Sequence, residues 1–76
     1  MTGGYRFRYV IKWENIYSHE TGYVGRVATD HFENTFDMDE AMSFITRAQA
    51  ETIIRELKDI GEGDNNRFEI LGIRTG

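Results

Sequence analysis

From Tyr5 to Trp13 the chain reads YRFRYVIKW, and the residue type changes at almost every step. Tyr5, Phe7, Tyr9, Ile11 and Trp13 fall on one side of an extended backbone, and Arg6, Arg8, Val10 and Lys12 on the other. Side chains alternate faces only in a strand, and aromatic residues favour a pleated, half-buried surface. The segment therefore predicts a β-strand whose aromatic row needs an apolar partner. One layer packed on that row is the minimum fold for this chain.

Only one segment offers that layer. Ala50, Ile53, Ile54, Leu57 and Ile60 recur at helical spacing, behind a Thr46–Gln49 capping box and ahead of Gly61. A helix starting at Arg47 and stopping at Gly61 follows, with Glu51 and Arg55 placed to pair. SHETG, from Ser18 to Gly22, reads as a turn, with Gly22 supplying a positive φ. On that reading the first strand continues through Glu14 to Tyr17, and Tyr23–Thr29 returns as the second strand of a hairpin. The favoured register pairs Trp13 with Val27, Glu14 with Arg26 and Tyr17 with Tyr23. Gly25 is the expected site of a bulge. Asp30–Glu40 reads as a strand end plus a loop, or a short irregular segment. Ala41–Ile45 is extended or a helical turn, with a short third strand favoured. Arg67–Arg74 closes the chain as a strand, with Phe68 and Ile70 on one face and Leu71 and Ile73 on the other.

The order is β-β-(β)-α-β. It predicts an α+β fold: a small antiparallel sheet of three to four strands with one amphipathic helix packed on one face. With 76 residues the chain suffices for one domain, residues 1–76. A domain of this size buries only about 60% of its unfolded surface, so its core is thin. On this arrangement the aromatic row of the first strand is core. The basic row, Arg6, Arg8 and Lys12, lies on the uncovered sheet face.

Composition excludes several chemistries. There is no cysteine, hence no disulfide, thiol nucleophile or Cys-based zinc site. His19 and His31 are the only histidines. HETGY lacks the HExxH zinc pattern, because Tyr23 holds the last place. His31 beside Asp30 and near Glu33 could pair acid with base, but no nucleophile or oxyanion donor accompanies them. The carboxylates of Asp37, Asp39 and Glu40 lack the spacing of a calcium loop, and GEGDNN follows a helix rather than opening one. The expectation is a non-enzymatic protein with no cofactor and no metal. No apolar run approaches the ~20 residues that span a membrane, and no secretory signal is visible. A soluble cytoplasmic protein is expected, with no membrane partner.

The net charge of −4 is unevenly spread. Residues 1–29 carry four cations and two acids, residues 30–66 three cations and ten acids, and residues 67–76 two cations and one acid. Two binding surfaces follow. The first is the acidic-aromatic segment Asp30, Phe32, Glu33, Phe36, Asp37, Asp39 and Glu40, which contains no Lys or Arg. Apolar anchors within an anionic rim suit a protein partner with a basic surface, such as the groove of a nucleic-acid-handling protein. Charge reversal at Asp37 and Asp39 is expected to weaken such binding and leave stability nearly unchanged. The alternative is a nucleic-acid-binding module using Arg6, Arg8, Lys12 and Arg26. It is disfavoured by global acidity and by the separation of aromatic and basic residues onto opposite faces. A third reading is a self-associating structural subunit, a homodimer joined through an exposed edge strand.

In outline the chain resembles the small, cysteine-free α+β accessory proteins encoded by phages and mobile elements. The likeness rests on size, on the acidic Asp30–Glu40 segment and on the strand-then-helix stretch MSFITRAQAETIIREL. Some of these proteins inhibit host defence or nucleic-acid enzymes by occupying a basic surface. The resemblance implies an anti-defence inhibitor acting in the host cytoplasm. It carries no specific motif, so it assigns no residue a role.

Overall fold

The computed structural model of the chain describes residues 7–74. Tyr5 of the aromatic row and Arg6 of the basic row lie outside the described residues. Four strands form one antiparallel sheet: β1 (Phe7–Asn15), β2 (Thr21–Val27), β3 (Phe32–Thr35) and β4 (Asn66–Arg74). Their spatial order is β3-β2-β1-β4. One α-helix among the described residues, α1 (Arg47–Asp59), packs on one face. The architecture is the α+β arrangement expected from the sequence.

α1 begins where its cap dictates. Thr46 Oγ1 accepts from the Gln49 amide at 3.2 Å, and Gln49 Oε1 accepts from the Thr46 amide at 3.4 Å. The helix ends at Asp59 with Ile60 as its C-cap, and Gly61 follows with φ 92°, a left-handed conformation that glycine adopts without a Cβ clash. Ala50 and Leu57 are fully buried and meet Ile11 and Val24 at the centre of the core. Tyr9, Trp13, Phe44, Phe68 and Ile70 surround them. Phe32 bridges this layer, with ring centroids 6.0 Å from Trp13 and 5.8 Å from Phe68. Each fully buried aliphatic side chain contributes about 1.5–3 kcal/mol, so a core this small depends on every member. Glu51 meets Arg47 at 3.9 Å rather than the expected Arg55.

The first hairpin closes earlier than the sequence suggested. Trp13 pairs with Gly22 and Glu14 with Thr21, in place of Val27 and Arg26. Asn15 causes the difference. Its Oδ1 accepts from the amides of Tyr17 and Ser18, both at 2.9 Å, which turns the chain at once. His19, not Gly22, takes the positive φ, at 63°. Gly22 instead allows close approach. A Cβ there would collide with Asn34 Oδ1 and lie 2.9 Å from Trp13 Nε1. Gly25 does mark a bulge, where the β2–β3 register shifts between Val24 and Arg26.

β1 and β2 pair directly over only a short stretch and then separate. The extended segment 41–45 occupies the gap. Tyr9 and Phe44 exchange two backbone hydrogen bonds, both 2.9 Å, and the Met42 amide donates to the Val24 carbonyl at 2.9 Å. This segment was the expected third strand. It forms one isolated bridge, and Phe32–Thr35 supplies the third strand.

The face away from α1 is not bare. Val10 lies on it and is fully buried. Above this end of the sheet the chain forms a 3₁₀ turn, Met38–Glu40, followed by buried Ala41.

Candidate partner-binding surface

The acidic-aromatic segment, expected as a strand end plus a loop or as an irregular stretch, supplies β3 and the 3₁₀ turn. Phe32 faces the core. Glu33 sits on β3 opposite Arg26 and forms an ion pair with it. Asp30 and His31, in the β2–β3 turn, hold each other side by side, with Asp30 Oδ1 2.7 Å from His31 Nδ1. That hydrogen bond, reinforced by the imidazole charge, holds the Asp30 carboxyl below the usual carboxylate range. Both side chains are open to solvent, so no enclosed acid–base site forms.

Asp37 has a structural duty that sequence reading did not assign. Its Oδ1 accepts from the Asp39 amide at 2.9 Å and caps the 3₁₀ turn. Its own amide donates to Thr35 Oγ1 at 3.1 Å. Substitution at Asp37 therefore removes a cap of the turn as well as a charge. The signal for this role was present as Thr35-x-Asp37-x-Asp39, a pair of overlapping side-chain turns.

The turn is fastened to the sheet by the basic row. Arg8 Nη2 donates to the Met38 carbonyl at 3.0 Å and lies 3.5 Å from Asp39 Oδ1. Two surfaces that the sequence separates thus touch each other. Two of the cations proposed for a phosphate-binding face thus have partners on the acidic segment, Arg8 in the 3₁₀ turn and Arg26 in Glu33. Lys12 remains on the sheet, opposite Tyr23 on β2 and Glu69 on β4.

What projects outward is compact. Phe36 is 77% exposed, and the Asp39 side chain is 95% exposed although one oxygen faces Arg8. Glu40 is exposed beside them. Phe36 borders a hollow of about 170 Å³ formed with Lys12, Thr21, Gly22 and Tyr23. A second hollow, of about 40 Å³, lies between Lys12, Trp13, Glu14, Arg67 and Glu69. Both fall short of the roughly 300–1,000 Å³ that typically encloses a small molecule. Among the described residues no cluster of three or more His, Asp or Glu is arranged to hold a metal ion. No helix among them is long and apolar enough to cross a membrane.

No family model, no curated protein and no solved structure matches the chain.

Proposed function

We propose that this chain is a small non-enzymatic binding protein, which docks Phe36 and the surrounding carboxylates onto a basic surface of another protein. The observation that carries the reading is the exposure of Phe36 next to an acid-rich turn. A large aromatic ring 77% exposed beside carboxylates offers apolar surface that a partner can cover. Aromatic residues, Phe among them, are enriched at interfaces, and the interface rim is polar. The 3₁₀ turn, capped by Asp37 and held by Arg8, presents Asp39 and Glu40 without a large entropy loss on docking.

In its concrete form the protein is a stoichiometric inhibitor of a nucleic-acid-handling or defence enzyme, of the phage-encoded type, acting in the host cytoplasm. Its carboxylates occupy the cationic groove that would otherwise hold phosphates. Direct nucleic-acid binding is the weaker reading, because Arg8 and Arg26 are committed to the acidic segment.

A tagged pull-down from a native lysate, with and without nuclease, tests the proposal. A protein partner retained after nuclease treatment, and lost with Phe36→Ala, supports it. Recovery abolished by nuclease places the function in the basic residues instead.

A further inference from the structure

β4 forms one edge of the sheet, and its outer side is the most complete unused hydrogen-bonding surface among the described residues. β4 pairs with β1 without interruption from Phe7–Arg74 to Asn15–Asn66. The Tyr9 amide and carbonyl are both spent on Phe44, away from β4. Its partner Gly72 therefore turns its own amide and carbonyl outward, and strand alternation gives Ile70 and Phe68 the same orientation. None of these three residues has another backbone partner among the described residues.

Natural edge strands are blunted by charged side chains, by proline, by bulges, by a short length or by a covering element. β4 has nine residues, a regular register and no proline. Four of its nine side chains, Phe68, Ile70, Leu71 and Ile73, are apolar and partly buried, and Arg67, Glu69 and Arg74 are its charged members. By contrast β3, at the other edge, has only four residues.

We infer that β4 pairs antiparallel with β4 of a second copy, joining two sheets into one eight-stranded sheet around a two-fold axis. The backbone dictates the orientation. Outward-facing groups belong to Phe68, Ile70 and Gly72, whose side chains share the α1 face. Directly opposed residues in an antiparallel pair share a face. The two α1 helices thus lie on the same side, and the axis runs perpendicular to the sheet.

A register centred on Ile70 uses the whole strand and suits a second copy better than an unrelated segment. It sets Phe68 of each copy over Gly72 of the other, an aromatic-over-glycine pairing that compensates for the missing side chain. Arg67 then opposes Ile73, Glu69 opposes Leu71 and Arg74 opposes Asn66, so no like charges are directly opposed, and the two Glu69 side chains are diagonal neighbours. β4 also escapes the acidity of the preceding segment, with Arg67 and Arg74 against Glu69. The resulting dimer carries two copies of the Phe36 surface, which would add avidity toward a repeated or symmetric partner. The inference stands on β4 alone and does not depend on the role of Phe36.

Light scattering from micromolar to millimolar protein, together with amide hydrogen exchange, tests it. Mass should rise from one chain to two with concentration. Over the same range the amides of Phe68, Ile70 and Gly72 should slow, while Glu69 and Leu71, already bonded to β1, stay slow throughout. Gly72→Pro removes one outward donor without touching a β1 bond and should shift the dimer to monomer, with far-UV circular dichroism retained. A monomer at every concentration overturns the inference. So does a dimer in which those three amides exchange at the monomer rate, which needs no variant. Slowing of β4 amides only when an extended peptide is added would assign the edge to a foreign strand and equally overturn self-pairing.

Discussion

Arg8 on β1 donates a 3.0 Å hydrogen bond to the Met38 carbonyl, across the face of the sheet that carries no helix. The bond is partly buried and its donor is charged. It ties the acidic turn to the strand whose basic row looked like a separate surface. The position of Phe36, two residues before Met38, depends on this tether.

The tether predicts an asymmetry between its two partners. Hydrogen bonds from charged donors contribute roughly 1.5–3 kcal/mol, so Arg8→Ala should destabilise the fold by about 1–2 kcal/mol. Asp39→Asn should cost about 0.5 kcal/mol or less, because exposed ion pairs contribute little. Denaturant unfolding of both variants checks this. Equal costs would mean that the ion pair, and not the carbonyl contact, holds the turn.

Gly22 supports a second prediction. Its backbone lies against the Trp13 indole, where the indole N–H donates to Asn34 Oδ1 at 2.8 Å. Gly22→Ala adds a methyl group in contact with both. Overpacking of this kind costs typically about 1–3 kcal/mol, a large share of the stability of so small a domain. The variant should also lose the Trp13 hydrogen bond, visible as an indole N–H shift by NMR. A neutral substitution with an unchanged indole signal would show that the strands can part without penalty.

These two residues also show where the sequence was legible and where it was not. The helix was readable from Thr46, Gln49 and Gly61, because caps act through neighbours three or four residues away. The aromatic row of β1 was readable because strand alternation is equally local. The hairpin register was not. It depends on whether Asn15 or Gly22 makes the turn, and both residue types serve in turns. A glycine required for contact with Trp13 looks no different in sequence from one required for φ. The insertion of residues 41–45 between β1 and β2, and the docking of Asp39 on Arg8, are non-local, so no periodicity reports them. For the candidate surface, the sequence grouped Phe32 with Phe36, and packing separates them. Phe32 faces inward opposite Val27, while Phe36 lies just past the end of β3.

Asp30 and His31 predict a pH dependence. The hydrogen bond from His31 lowers the Asp30 pKa in the folded state below its unfolded value. A lowered carboxylate pKa adds stability above the unfolded value, and that stability is lost as pH falls through the folded one. Asp30→Asn should therefore lower the thermal midpoint slightly at mildly acidic pH. The difference from wild type should close as pH drops below the ordinary Asp range. Both groups are solvent-exposed, so the effect is small. A difference that stays constant from neutral to strongly acidic pH would show that the hydrogen bond is not coupled to ionisation.

The two phenylalanines of the acidic segment give the most direct test of the proposed surface. Phe32→Ala removes a ring packed against Trp13 and Phe68 and should cost about 3 kcal/mol or more. Phe36→Ala should change stability by no more than about 0.5 kcal/mol, as exposed positions generally do. Toward the captured partner the order reverses. Phe36→Ala should lose ~2 kcal/mol or more of binding energy, as a hot-spot residue does. Asp39→Lys with Glu40→Lys should weaken binding further as salt is lowered, because like charges then face each other with less screening. Tyr17→Ala is the control. Tyr17 is 73% exposed, comparable to Phe36, but sits in the β1–β2 turn outside the acidic segment. Titration calorimetry of the four variants decides the matter. If Tyr17→Ala and Phe36→Ala weaken binding equally, general apolar contact replaces the acidic-aromatic surface as the explanation. If only Phe36→Ala does, the exposed ring beside the Arg8-tethered turn is the anchor.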